Sequence, residues 1–334
     1  MVPPTAWLLQ TSFASAAIGL CVSSQAAAAA PLDRVLLDLP ARYMWGWGPG
    51  VSGYCGSMSI QTAGIYYGNW LSQDAVRGTS GGQDAAHEIL LDLEGCCTAI
   101  HACRALQMNC TSWSSETEFR PQHIGFLEWS RQAIRAGEPV IFGVYMRGHE
   151  HQKSGDHIVP MVGFDDTGVY LNDLHSNLTL RYEVDDFVRD SQHCTKGASE
   201  WEYCLPASVN YGMRVHGNLD ANGELLPLRL SMSSGWEPDY SQEDQRHAAP
   251  VLLTAQITLS GLQPGSRYAL LRYDDPETVP DRRFLDSAFV SRDDITAAGE
   301  QQTLEVHFPS NSTIFFRCVR EDGYVRDMLS TIEV

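Results

Sequence analysis

Positive charge is what this chain has least of. Against 41 Asp and Glu stand 23 Lys and Arg, giving a formal net charge of −18 over 334 residues, and the basic residues form no run. That balance argues against nucleic acid or an anionic membrane as a partner, since both call for clustered cations. Strongly apolar sequence of membrane-spanning length, about 20 residues, is also missing. The uncharged stretch from Trp7 to Ala30 is interrupted by Ser, Gln and Thr. Its Leu8-Leu9 pair, its Ala16-Ala17-Ile18-Gly19-Leu20 run and the small residues Ala28 and Ala30 read as a secretory signal peptide, residues 1–30, cleaved near Ala30. Its n-region, Met1-Val2-Pro3-Pro4, has no Lys or Arg. No two cysteines are spaced CxxC and no ligand set recurs in fours, which argues against structural zinc. No metal or other cofactor is implied.

What the chain does have is cysteine. Nine are present, and loss of Cys21 with the signal leaves Cys55, Cys96, Cys97, Cys103, Cys110, Cys194, Cys204 and Cys318. In a secreted protein these default to disulfides. Cys194 and Cys204 flank one short polar segment and predict a local loop closure. The group from Cys96 to Cys110 predicts one or two bridges of open connectivity. If Cys55 stays a thiol, seven cysteines remain and an odd number leaves one over. Three Asn-x-Ser/Thr triplets, at Asn109, Asn177 and Asn311, are glycosylation acceptors if the chain is secreted, each then on an exposed loop.

Residues 31–235 read as one domain of helices followed by strands. The mature chain opens on Val35-Leu36-Leu37-Asp38-Leu39-Pro40, then on the aromatic, glycine-rich Tyr43-Met44-Trp45-Gly46-Trp47-Gly48-Pro49-Gly50. Cys55 to Tyr67 predicts a helix, with Met58, Thr62, Ala63 and Tyr66 on one face and Gly68 as its stop. Gln83 to Met108 predicts two helices broken near Gly95, carrying His87 and His101 as structural or surface residues. Gln122 to Ala136 predicts another before Gly137. Apolar runs at Pro139–Met146, His157–Phe164 and Gly168–Leu174 predict strands, the last two joined by a turn at Asp165-Asp166-Thr167-Gly168. Helices first and strands second indicate an α+β domain with a mainly antiparallel sheet. Ser191 to Trp236 reads as polar and irregular, and Asp220-Ala221-Asn222-Gly223-Glu224 as a turn rather than a calcium loop. Residues 236–250 read as a linker. From residue 251 to 334 the pattern is all-β, with strands at Val251–Ser260, Tyr268–Tyr273, Thr303–Pro309 and Thr313–Val319, in the manner of a small Ig or fibronectin-III sandwich.

The chemistry concentrates on Gly53-Tyr54-Cys55-Gly56-Ser57-Met58-Ser59. A cysteine between a glycine-punctuated loop and a helix start has the partial positive charge of the helix end beside its sulfur, which favours the thiolate. Such a nucleophile needs a base, and the base an orienter. Asp156-His157-Ile158-Val159-Pro160 supplies a histidine, and Val169-Tyr170-Leu171-Asn172-Asp173 ends in two polar side chains able to orient it. Adjacent strand residues face opposite ways, so one of Asn172 and Asp173 faces the imidazole. Trp45 and Trp47 beside the nucleophile loop are candidate cleft walls, with Gly53, Tyr54, Gly56 and Asp156 as further substrate-side positions.

These stretches, together with Ala136-Gly137-Glu138-Pro139-Val140-Ile141, resemble the papain-like cysteine peptidase superfamily, closest to its stand-alone C39-like branch, over about residues 45–175. The resemblance implies Cys55 as nucleophile, His157 as general acid and base, and Asp173 as third member by the C39-like pattern or Asn172 by the papain pattern. The family's upstream oxyanion-donating Gln has no counterpart. Pro49 stands in its place, and no Gln, Asn or His lies between Trp45 and Cys55. Loss of one oxyanion donor costs on the order of 10²–10³ in rate. The Cys55 amide and an indole N–H of Trp45 or Trp47 are the candidate substitutes.

The reading is therefore a secreted or lumenal cysteine peptidase acting on a peptide or protein substrate. Two alternatives stand beside it. One is an inactive papain-like recognition module whose C-terminal sandwich binds a protein or glycan. The other is a cysteine-dependent acyl transferase or transpeptidase.

Overall fold

The computed structural model describes residues 34–44, 53–79, 89, 91, 98–113, 121–146, 155–173, 178–189, 203–234 and 250–321. The signal segment, Trp45, Trp47, Pro49, Cys96, Cys97 and Cys194 lie outside these residues, as does the expected linker up to residue 249. The fold is mixed α and β with mostly antiparallel sheets, and Asp33–Val334 forms one compact unit.

The chain runs β1 (Val35–Leu36), α1 (Cys55–Tyr66), β2 (Asn69–Leu71), α2 (Gln73–Gly78), α3 (Ala99–Ala105), β3 (Met108–Ser112) and α4 (His123–Arg135). There follow β4 (Val140–Met146), β5 (Gly155–Phe164), β6 (Gly168–Asn172), β7 (Thr179–Glu183), α5 (Val184–Phe187), β8 (Val188–Arg189), β9 (Tyr203–Pro206) and β10 (Gly212–Asn218). The last third is all strand apart from short 3₁₀ turns: β11 (Leu228–Ser234), β12 (Leu252–Ser260), β13 (Arg267–Tyr273), β14 (Ser291–Thr296), β15 (Gln301–Pro309) and β16 (Thr313–Arg320).

The large sheet has the order β3-β10-β4-β5-β6-β7, with β1 added to β5, β9 to β4, and β8 to β9 by a parallel pairing. Helix α4 covers one face, burying Phe126, Leu127, Ala133 and Ile134 against Val140, Phe142 and Met161. Its apolar residues recur at helical spacing, and Gly137 follows it at φ +78°, a conformation glycine adopts without a Cβ penalty. The turn between β5 and β6 is held by Asp165, whose Oδ1 accepts from the Thr167 and Gly168 amides at 3.1 and 2.7 Å.

Several elements differ from the sequence expectation. Met108 starts a strand instead of ending a helix, because Gln107 takes a left-handed φ of 58° and breaks the helix after α3. A disulfide between Cys103 on α3 and Cys110 on β3 closes that corner. The region expected to be irregular holds β9, β10 and β11. In β10, Met213 and Val215 are buried while Arg214 and His216 are less so, an alternation masked by glycines at both ends. Strand β11, assigned from sequence to the first domain, pairs with β12 and belongs to the three-stranded sheet β11-β12-β15. The other C-terminal sheet, β14-β13-β16-β2, takes its fourth strand from the segment directly after α1. One apolar cluster accordingly runs from Ile60, Leu71 and Leu106 to Ala269, Leu271, Tyr273 and Phe315.

Asp165 also accepts from Arg181 Nε at 2.6 Å and Nη2 at 2.8 Å, and from the Tyr170 hydroxyl at 2.9 Å. The Arg181 guanidinium, more than the other donors, holds the Asp165 carboxyl well below the usual carboxylate range, and it lowers Glu183 in the same way. A carboxylate depressed on folding adds stability above its unfolded pKa of about 3.9 and loses it as pH falls toward the folded value. The melting temperature of the parent protein is expected to exceed that of Asp165→Asn at pH 7, and the gap to close as pH falls below about 4. A gap that stays constant with pH would assign the effect to the turn's hydrogen bonds instead of the charge.

Candidate active site

Cys55 is the first residue of α1, as the sequence predicts, and it is half-buried and not disulfide-bonded. The start of α1 differs from the other two helices that follow a loop of the same region. Ser72 caps α2 by accepting from the Ala75 amide at 3.2 Å, and Thr98 caps α3 by accepting from the His101 amide at 3.3 Å. The N-cap residue of α1 is Tyr54, which makes no side-chain cap. Its ring lies under the Arg77 guanidinium at 4.3 Å, and its hydroxyl donates to Asp74 at 2.7 Å, so α2 props the loop that carries the cysteine. The amides of the first turn of α1 therefore have no hydroxyl or carboxylate of their own N-cap in front of them.

Gly56 is required by a close approach. A Cβ there would lie 2.6 Å from the Ile89 carbonyl oxygen, a backbone atom with little freedom to yield. Gly53 is half-buried just ahead of Tyr54.

His157 lies near the start of β5, paired with Val144 of β4 and 2% exposed. Helix α1 packs on this strand. Ser59, one turn after Cys55, has its Oγ 2.8 Å from the Cys55 carbonyl oxygen and 3.4 Å from that of Ile158, the neighbour of His157. The first turn of α1 is thus tied to the histidine's strand by one side chain. Asp156 sits beside His157 on β5, opposite Tyr145 of β4.

Asn172 and Asp173 part company as the pleat requires. Asn172 is wholly buried at the end of β6, donating to the Leu39 carbonyl at 3.3 Å and accepting from the Thr179 hydroxyl at 2.8 Å. Asp173, 3% exposed, accepts a hydrogen bond from the Tyr203 hydroxyl. The Tyr203 ring in turn stacks on His157, with centroids 5.5 Å apart and planes 28° from parallel. His157, Tyr203 and Asp173 form one buried cluster, and Asn172 is committed elsewhere.

Tyr203 is the site residue that sequence reasoning passes over. It opens β9 immediately before Cys204, which is disulfide-bonded, its expected partner Cys194 lying outside the described residues. The local signal was a short aromatic and apolar run, Trp201 to Leu205, inside a segment read as irregular. Trp45 and Trp47, the proposed cleft walls, and Pro49, at the position of the family's Gln, lie outside the described residues. Among the described residues no three His, Cys, Asp or Glu side chains gather as a metal site, and no helix is long and apolar enough to cross a membrane.

The chain thus presents an α+β protein with a thiol at a helix N-terminus, the first turn of that helix tied by Ser59 to the strand that carries the histidine of a buried His-Tyr-Asp cluster. No protein-family model and no curated protein matches it.

Proposed function

We propose that the chain is a secreted thiol hydrolase of the papain-like, C39-like kind, cleaving a peptide or related amide bond. The observation that carries this reading is a thiol as the first residue of α1, its first turn tied through Ser59 to the strand of His157.

The chemistry follows from those groups. His157 takes the proton of the Cys55 thiol, and the thiolate adds to the substrate carbonyl carbon. The carbonyl oxygen gains negative charge. The Cys55 amide, polarised by the helix whose first residue it is, is the candidate donor for it in place of the family's Gln. His157 then protonates the leaving amine, and the C–N bond breaks to leave a thioester on Cys55. Water, deprotonated by the same imidazole, releases the acid and restores the thiol. Asp173 stabilises and orients the imidazolium, and Tyr203 keeps that carboxylate and ring in register. Substrate reaches the sulfur past Gly53 and Tyr54.

Secretion is supported by the uncharged segment Trp7–Ala30, by the Cys103–Cys110 disulfide and by the exposed sequon residues Asn109 and Asn311.

The test is the rate of Cys55 alkylation against pH on the mature secreted protein, read by peptide mass spectrometry. An activated thiol is expected to react with an apparent pKa well below the roughly 8.5 of a free cysteine, and to lose that advantage in His157→Ala. A Cys55 that alkylates as an ordinary or buried thiol would falsify the hydrolase reading.

A further inference from the structure

The segment after α1 does not return to the sheet on which α1 packs. It crosses Gly68, at φ +81°, and enters the C-terminal four-stranded sheet as β2, antiparallel to β16 with Asn69 opposite Phe315 and Leu71 opposite Thr313. The Phe316 amide donates to the Gly68 carbonyl at 3.2 Å, and the Trp70 indole donates to the Ser310 carbonyl at 3.1 Å. A Cβ at Gly68 would strike the Leu228 side chain at 1.7 Å, so β11 closes on this junction from the other side.

An arginine sits at the centre of that seam. Arg317 of β16 is fully buried; its Nη1 donates to Asn69 Oδ1 at 2.7 Å and to the Phe316 carbonyl at 2.9 Å. Asn69 passes the contact on, its amide donating to Asn218 Oδ1 at 2.9 Å, and Asn218 donates to the Tyr67 carbonyl at 2.9 Å, just past the end of α1. Nε and Nη2 of Arg317 meet no acceptor among the described residues. Burial pushes the guanidinium down to about 9, which still leaves it charged at neutral pH. A buried, partly satisfied charge is a poor stabiliser, and apolar residues of similar volume at such positions are often neutral or better. Specifying one register is what such a group does well.

We propose that Arg317 and Asn69 are positioning residues for the nucleophile: they lock β2 on β16 in one register and thereby hold α1, and the thiol at its far end, against the strand of His157. The C-terminal sandwich is then a working part of the catalytic unit, not a separable recognition module. This rests on the hydrolase reading for its role in catalysis, but the claim about α1 stands apart from it.

The full-length chain decides the matter with Arg317→Met, which keeps the volume and removes the charge. Its melting temperature is expected within a few degrees of the parent's, while amide exchange in peptide 55–66 quickens about tenfold and Cys55 alkylation at neutral pH slows. Ile257→Val in the core of the three-stranded sheet is the control, lowering stability by about 1 kcal/mol and leaving both α1 exchange and the alkylation profile as in the parent. If Arg317→Met fails to fold, Arg317→Lys, with the charge and a donor retained, enters the same comparison and is expected to fall between. Seam variants with parental α1 exchange overturn the proposal, whatever their melting temperature. An ordinary Cys55 thiol in the parent, together with quickened α1 exchange in Arg317→Met, removes the hydrolase reading and keeps the seam.

Discussion

On the proposed hydrolase reading, Asp173→Asn is expected to fold like the parent and to hydrolyse amide bonds about 10⁴-fold more slowly, the size of effect seen when a triad carboxylate becomes an amide. The substitution keeps an oxygen for the Tyr203 hydroxyl, so the packing of Tyr203 on His157 survives. What it removes is the negative charge that, in the proposed mechanism, stabilises the imidazolium. Asn172→Ala is expected to do the reverse. It deletes the contacts to the Leu39 carbonyl and the Thr179 hydroxyl in a wholly buried setting, which costs about 1–3 kcal/mol of stability. Activity per folded molecule stays near the parent's. Melting curves and kcat on both variants separate the two residues. A rate loss confined to Asn172→Ala would mean that the papain-type asparagine orients the ring and that Asp173 serves only Tyr203.

Trp70→Ala is expected to lower stability by about 3–5 kcal/mol, with a melting temperature lower by roughly ten degrees. Trp70 is fully buried on β2, its ring 5.3 Å from Phe308 and 4.9 Å under the Arg42 guanidinium. Its indole satisfies the Ser310 carbonyl. Truncation opens a cavity, strands that carbonyl and uncovers a cation, three costs from one side chain. The loss is expected in a single cooperative transition, because β2 joins the helical region to the C-terminal sheets and one apolar cluster spans both. Two separate transitions, with only the later one shifted, would show that the C-terminal sheets melt independently of α1.

The site was legible where the chemistry is local. Cys55 stands at a helix start because glycines precede it and Met58, Thr62 and Ala63 follow at helical spacing, and that pattern needs no distant partner. His157 and Asp173 were legible as an ordered pair on strands. Which of Asp173 and Asn172 joins Tyr203 was not, because it turns on a strand some 30 residues further along. The helix ending at Ala105 was overestimated from its apolar residues, since no local pattern announces a non-glycine residue such as Gln107 in a left-handed conformation. Exposed β14, with Asp and Arg along it, carried no alternating signal at all.

By itself the sequence determined the acidic balance of charge, the helix that Cys55 opens, the strands β4, β5 and β6 and the all-β character of the last third. Each of these is written in near-neighbour periodicity or composition. Tertiary structure alone decided that the strand after α1 belongs to the C-terminal sheet, and that a buried Arg317 meets Asn69 across 248 positions of chain. The reason is physical: three residues, Asn69 to Leu71, are too few to show a period, and a strand of that length exists only because a distant edge satisfies its backbone.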